Sequence, residues 1–155
     1  MQNHELGVSP KLTPRFTEAV EYAREVHTGF RKGTQVPYMA HLLGVVSLVL
    51  GESGYVPFLV TEDMAIAALL HDAVEDEGGL GRLHDIEAKF GKDVAKIVEG
   101  CTDSFEEDPG RKQEWEVRKA SYIERLRSES RETLLVSVAD KLYNARATVE
   151  DYRGI

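Results

Sequence analysis

The sequence predicts an all-α fold, and three features carry that prediction. Apolar residues recur at helical spacing, as in Phe16, Ala19, Val20, Ala23 and Val26. The periodic stretches open on capping residues such as Thr13-Pro14 and Thr61 and close on glycine, as at Gly78-Gly79 and Gly91. Nowhere does an apolar–polar alternation bounded by turn residues ask for a strand. The nearest exception, residues 134–139, is an apolar run without flanking turn signals, which assigns it to a helix.

Residues 1–12 read as an N-terminal arm ahead of a single domain over 13–155. Thr13 caps the first helix with Pro14 at its first position, where a missing N–H costs nothing, and the apolar period carries that helix to His27. Two glycines and a proline make 28–37 a loop. A second helix begins at Tyr38 or Met39 and ends near Ser53; it is almost wholly apolar from Leu42 to Leu50, so it is expected at the centre of the fold. Residues 54–57 break it. Thr61 caps a third helix, with Glu62 and Asp63 suited to its positive end, and this helix is expected to run unbroken to Gly78-Gly79. A shorter helix over 83–90, another over 93–102, a polar loop over 103–112 and two helices over 113–127 and 131–152 complete the chain.

A chain of 155 residues is long enough for one domain with a real core. No apolar run approaches the roughly 18 residues of a membrane span, and the N-terminus lacks the basic and apolar blocks of a signal peptide. The single cysteine, Cys101, excludes an internal disulfide, fits a cytoplasmic location and reads as a small core residue. A net charge of −8 sets the surface against nucleic acid and anionic membrane. A small anionic ligand is still admitted, provided a metal or a few placed cations meet it.

The chemistry concentrates at the end of the third helix, where four apolar residues lead into His71-Asp72-Ala73-Val74-Glu75-Asp76. Helical spacing puts Asp72 one turn from Asp76 and His71 one turn from Glu75. Three carboxylates so close repel one another, and a cation relieves that repulsion. His41 opens the apolar second helix, and Asp140 follows the apolar run of the last one. Taken singly, such a histidine is a satisfied core group and such an aspartate is an ion-pair partner. Together with His71 and Asp72 they form a mixed N/O set suited to a divalent first-row metal, drawn from three helices.

These residues match the H…HD…D pattern of the HD-domain metal-dependent phosphohydrolases. A longer set of matches is more specific: Arg31-Lys32, Pro37-Tyr38, His41, the stretch from His71 to Asp76, Phe90-Gly91, Val98-Glu99, Thr102-Asp103 and the stretch Ala139-Asp140-Lys141-Leu142-Tyr143-Asn144. Over residues 15–150 the chain resembles the hydrolase domain of the RelA/SpoT alarmone enzymes and their stand-alone relatives of the metazoan SpoT homologue type. The resemblance implies a compact multi-helix HD-domain bundle with one divalent metal between helices, usually Mn²⁺ in the family. It implies hydrolysis of the 3′-pyrophosphate of (p)ppGpp. Carried over by position, His41, His71, Asp72 and Asp140 are the metal ligands, and Glu75 and Asp76 orient and deprotonate the attacking water. Arg31, Lys32 and Asn144 contact the nucleotide.

Elementary chemistry supports those roles: a metal acidifies water and neutralises phosphate charge, and a positioned carboxylate adds on the order of 10²–10⁴ in rate. The implied partner is a small-molecule nucleotide, with no nucleic acid and no membrane; a homo-oligomer is compatible. Two departures stand out. Ala145-Arg146-Ala147 occupies the place where relatives often carry Leu-Arg-Asp or Met-Arg-Thr, with Thr148 one position later, and many relatives continue through further helices beyond Ile155. The competing expectations are a nucleoside-monophosphate nucleotidase on the same scaffold and a catalytically silent nucleotide-binding domain.

Overall fold

The structure, a computed structural model, describes residues 10–76, 78–106 and 113–153, with the backbone alone at Asp76. Among these residues are eight helices: α1 (Pro14–Val26), α2 (Tyr38–Gly51), α3 (Glu62–Leu70), α4 (Ala73–Asp76), α5 (Gly79–Phe90), α6 (Lys92–Cys101), α7 (Trp115–Leu126) and α8 (Arg131–Tyr152). Extended backbone pairs only at the isolated bridge between Phe30 and Pro37, which closes the loop after α1. None of the described helices is long and apolar enough to cross a membrane. Residues 1–9 of the expected N-terminal arm and most of the expected polar loop, 107–112, lie outside the described residues.

The helix starts follow their sequence signals. Thr13 Oγ1 accepts from the Arg15 amide, Thr61 Oγ1 from the Met64 amide and Ser130 Oγ from the Thr133 amide, each satisfying an otherwise orphaned N–H. Arg15 then ties the start of α1 to that of α3, reaching Glu62 at 3.4 Å and Asp63 at 2.8 Å.

The centre of the fold is α3, not the apolar α2 expected there. Every residue from Met64 to Leu70 is fully buried, and α3 packs against α1, α2, α6 and α8. Three alanines, Ala65, Ala67 and Ala68, explain why: small side chains on several faces let four neighbours approach one helix. Helix α2 buries Leu42, Val45, Val46 and Val49 but leaves Leu43 46% exposed, so it is a wall of the bundle.

Two boundaries also differ from expectation. The third helix does not run unbroken to the glycines; it stops at Leu70, and His71-Asp72 form a turn before the short α4. The His71 imidazole lies against the Ala68 carbonyl and consumes an acceptor that the helix would otherwise use. At the next break Gly78 sits at φ 102° and Gly79 at φ 51°, a left-handed pair that only glycine adopts without strain. The chain reverses there so tightly that α5 begins at Gly79, four residues ahead of expectation.

Candidate active site

Three parts of the bundle deliver the metal-type side chains to one point. His41 comes from the first turn of α2, His71 and Asp72 from the turn after α3, and Asp140 from the middle of α8. His41 Nε2 and His71 Nε2 are 3.3 Å apart. Asp72 Oδ2 stands 3.2 Å and 3.1 Å from these two nitrogens, and Asp140 Oδ1 stands 3.4 Å and 3.6 Å from them. Ligands about 2.1 Å from a first-row ion are separated from one another by about 3.0–3.4 Å, so His41, His71 and Asp140 together have the dimensions of a coordination site, and Asp72 stands at the same spacing from the two histidines. Both histidines and Asp140 are buried.

Hydrogen bonding sets the donors for that task. A carbonyl only accepts, so His71 Nδ1, 2.9 Å from Ala68 O, carries a proton and leaves Nε2 to face the cluster. His41 Nδ1 is buried without a partner. Tyr38 donates to Asp72 Oδ2 at 2.7 Å, Asn144 donates to Asp140 Oδ1 at 2.6 Å, and Lys141 meets Asp140 Oδ2 at 2.5 Å.

The electrostatics point the same way. Burial opposes charge on His71, yet the pull of Asp72 and the hydrogen bonds it donates to Asp140 and Asp72 raise its pKa well above the imidazole norm. Burial likewise opposes charge on Asp72, but the His71 charge and the bonds from His41, His71 and Tyr38 hold it well below the carboxylate norm. Two carboxylates that must stay ionised beside two imidazoles create a demand for positive charge, which a divalent cation meets. The residues present fit such an ion.

Beside the quartet lies a cavity of about 230 Å³, walled by Tyr38, Asp72, Glu75, Asp103, Lys119 and Asp140 among others. Glu75 reaches into it from α4. Its carboxyl is pushed up to about 7, first by burial and then by the hydrogen bond and charge of Asp103. Asp103 is itself held low: burial works against its charge, but hydrogen bonds from Lys119 and Glu75 outweigh that. Arg118 Nη1 bonds Asp103 Oδ1 at 2.7 Å and approaches Glu75 Oε1 at 3.5 Å. No sequence signal assigns a role to Asp103, Arg118 or Lys119, although Thr102-Asp103 is among the matched pairs; the wide sequence gap between α4 and α7 hides their meeting.

The remaining expected residues divide. Asn144 lines the cavity, but its amide is engaged with Asp140 and so holds that carboxylate in place. Arg31 lies outside the cavity, in a neighbouring cleft of about 400 Å³ with Tyr143 and Arg146. There it pairs with Asp151 at 3.0 Å. Lys32 is exposed in the same loop. The Asp76 side chain lies outside the described residues. Cys101, read from sequence as a core residue, stands in the cavity wall, 3.5 Å from Ser137 Oγ, and burial pushes its thiol up. Behind Tyr38 sits His27, stacked on the phenol ring at 4.9 Å and buried with no partner for Nε2.

Comparison with known proteins agrees with this geometry. The HD domain family profile matches residues 19–153. The chain is 38% identical over 131 residues to a guanosine-3′,5′-bis(diphosphate) 3′-pyrophosphohydrolase of Xenopus tropicalis, covering 83% of this chain and 66% of that protein. A Homo sapiens protein of the same name is 36% identical over 133 residues with the same coverage. The match to a guanosine-3′,5′-bis(diphosphate) 3′-pyrophosphohydrolase of Aquifex aeolicus is 38% over 93 residues, 60% of this chain and 12% of that one. The solved structure of a metazoan SpoT orthologue that hydrolyses ppGpp superimposes with a TM-score of 0.71 at 31% identity, covering 88% of this chain and 71% of that one. The chain thus spans just under two thirds of the length of the vertebrate relatives.

Proposed function

The chain belongs to the HD domain family, and from that premise we propose that it is a metal-dependent pyrophosphohydrolase that removes the 3′-pyrophosphate from alarmone nucleotides of the (p)ppGpp type. One observation carries the reading: His41, His71 and Asp140 converge within coordination distance, with Asp72 beside both histidines, at the edge of a polar cavity into which Glu75 reaches. The names of the relatives supply the substrate class.

The four ligands would hold one divalent ion, which we take to be Mn²⁺. When bound, it supplies acidification of water and neutralisation of phosphate charge. Everything else falls to the protein. Tyr38 and Asn144 fix the two ligand carboxylates in place, as outer hydrogen bonds do at such centres. Lys119 and Lys141, both in the cavity wall, offer positive charge to a phosphate in a protein that is otherwise strongly acidic. Glu75, poised near neutrality, exchanges a proton with the reacting groups at physiological pH, which is where a general acid or base works best. Asp76 is its proposed companion.

A cavity of about 230 Å³ is smaller than the roughly 300–1,000 Å³ typical of sites that enclose a whole ligand, so it accommodates the phosphate end of a nucleotide. The adjoining cleft at Arg31, about 400 Å³, is proposed to take the base and ribose, with Lys32 at its rim. Arg31 would then exchange Asp151 for the ligand. We further place the protein in the cytoplasm, a reading supported by its single cysteine.

The test is a substrate panel: purified protein with Mn²⁺ and ppGpp, pppGpp, ppApp or nucleoside monophosphates, with products resolved by chromatography. The expected result is pyrophosphate from the alarmones. Inorganic phosphate from monophosphates with the alarmones untouched would overturn the proposal in favour of a nucleotidase.

A further inference from the structure

Glu75 and Asp103 come from segments that are far apart in sequence, yet one guanidinium nitrogen, Arg118 Nη1, stands 3.5 Å from Glu75 Oε1 and 2.7 Å from Asp103 Oδ1, and both side chains line the same cavity. Two carboxyl groups gathered on one cation repel each other when both are ionised, so the pair favours keeping one proton. The surroundings decide which group holds it. The Asp103 side chain is 2% exposed and receives Arg118 at Oδ1 and Lys119 at Oδ2, so both its oxygens are committed to cations. Glu75 is more open, 27% exposed, and has only the 3.5 Å approach of Arg118. The proton therefore resides on Glu75.

We propose that Asp103 is a positioning residue for Glu75: anchored by Arg118 and Lys119, it keeps the Glu75 carboxyl protonated and aimed in the resting site, so that Glu75 enters the reaction as a proton donor. This rests on the hydrolase reading above and sharpens it, since the sequence assigns Glu75 only as a base. In the reaction a bond forms from the water oxygen to phosphorus and the bond from phosphorus to the ribose 3′ oxygen breaks. The departing 3′ oxygen takes the Glu75 proton, and the water's spare proton returns to the Glu75–Asp103 pair, which ends as it began. Charged or titratable groups facing Glu75 are Asp72 in the turn before it, Asp103 after α6, and Arg118 and Lys119 on α7. Tyr38, Tyr122, Asp140 and Lys141 stand elsewhere in the same cavity wall.

The test reads the proton directly, without substrate. Glutamate side chains are labelled with ¹³C, the protein is loaded with diamagnetic Mg²⁺, and the Glu75 carboxyl, assigned by its loss in Glu75→Gln, is titrated by NMR. The wild-type group is expected to titrate near neutrality. Asp103→Asn keeps the shape but removes the charge and should move the midpoint down by at least one pH unit. Lys119→Met keeps Asp103 but removes an opposing cation and should move it up. A merely structural role predicts that both variants loosen the site and shift the midpoint the same way, toward the ordinary glutamate value. That outcome, or a wild-type Glu75 that titrates as an ordinary glutamate, overturns the proposal. In turnover, the pH limb assigned to Glu75 should move with the NMR midpoint in each variant, while Asp103→Glu restores the wild-type limb. If the alarmones are not substrates, the NMR result still stands or falls on its own, so failure of the hydrolase reading is separately visible.

Discussion

At the residue scale, the titrating groups around the site pull stability in opposite directions. His27 is buried, and burial lowers its pKa from 6.5 to about 4. Between those values the unfolded chain binds a proton that the folded protein refuses, so stability is complete above 6.5 and falls as the pH drops toward 4. Between pH 7 and 4.5 the expected loss from this one group is about 2–3 kcal/mol. Glu75 has the reverse sign: its carboxyl, raised to about 7, holds a proton that the unfolded chain has released, so it costs stability as the pH rises from 4.5 to 7. His27→Phe preserves the stacking on Tyr38 and removes the acid-side loss. Urea unfolding of wild type and variant at pH 7 and pH 4.5 should show a smaller pH difference in the variant by that 2–3 kcal/mol. Equal pH differences would mean that His27 is not held neutral. None of this was visible in the sequence, where His27 was only the end of a helix. The metal-type residues were visible because their chemistry is unusual for their positions; His27, Tyr38 and Asp103 are ordinary residues made special by neighbours far away in the chain.

At the element scale, the seam between α2 and α8 sets how precisely His41 faces Asp140. Gly44 is what lets the seam close. A Cβ placed there would lie 2.1 Å and 2.4 Å from ring carbons of Tyr143, a residue whose ring also packs edge-on against His41 at 4.9 Å. Glycine to alanine inside a helix ordinarily gains up to about 1 kcal/mol. Here overpacking costs about 1–3 kcal/mol, and a clash this close puts it at the upper end, so the net effect is a loss. Gly44→Ala is therefore expected to lower the melting temperature by several degrees, at about 2–4 °C per kcal/mol for a chain of this size. It should weaken metal binding as well, because the Tyr143 ring it displaces packs against His41. Gly51→Ala, at a position with open space around the new methyl, is the control and should leave the melting temperature unchanged or raise it. Helix positions were legible from caps and periodicity, which are local signals. The centrality of α3 over α2 and the turn at His71-Asp72 were not, because both depend on what packs against the helix. Hydropathy ranked the apolar α2 first, whereas packing favoured the small residues of α3.

On the scale of the whole molecule, the metal-type quartet draws on α2, the turn after α3 and α8, segments separated by most of the chain. Bringing four like-purposed polar groups into a buried cluster costs desolvation, and without a cation the cluster is left with a protonated histidine beside two ionised aspartates. An ion bound only by the folded state adds stability by mass action, about 2.7 kcal/mol when its free concentration is a hundred times Kd. The melting temperature is then expected to rise by about 5–10 °C when Mn²⁺ is added to chelator-treated protein. Asp140→Ala should abolish that increment, whatever it does to the metal-free protein, because Asp140 is the one ligand that the proposed site takes from α8. Arg31→Ala should retain the full increment, since Arg31 stands in the neighbouring cleft with Asp151. Scanning calorimetry with Mn²⁺, Mg²⁺ and chelator on these three proteins decides the matter. Identical melting with and without metal in the wild type would mean that the four donors, despite their spacing, do not bind an ion tightly enough to hold the bundle together. An increment kept in Asp140→Ala would instead reduce the site to His41, His71 and Asp72 and leave Asp140 to Lys141 and Asn144, its two hydrogen-bond partners on α8.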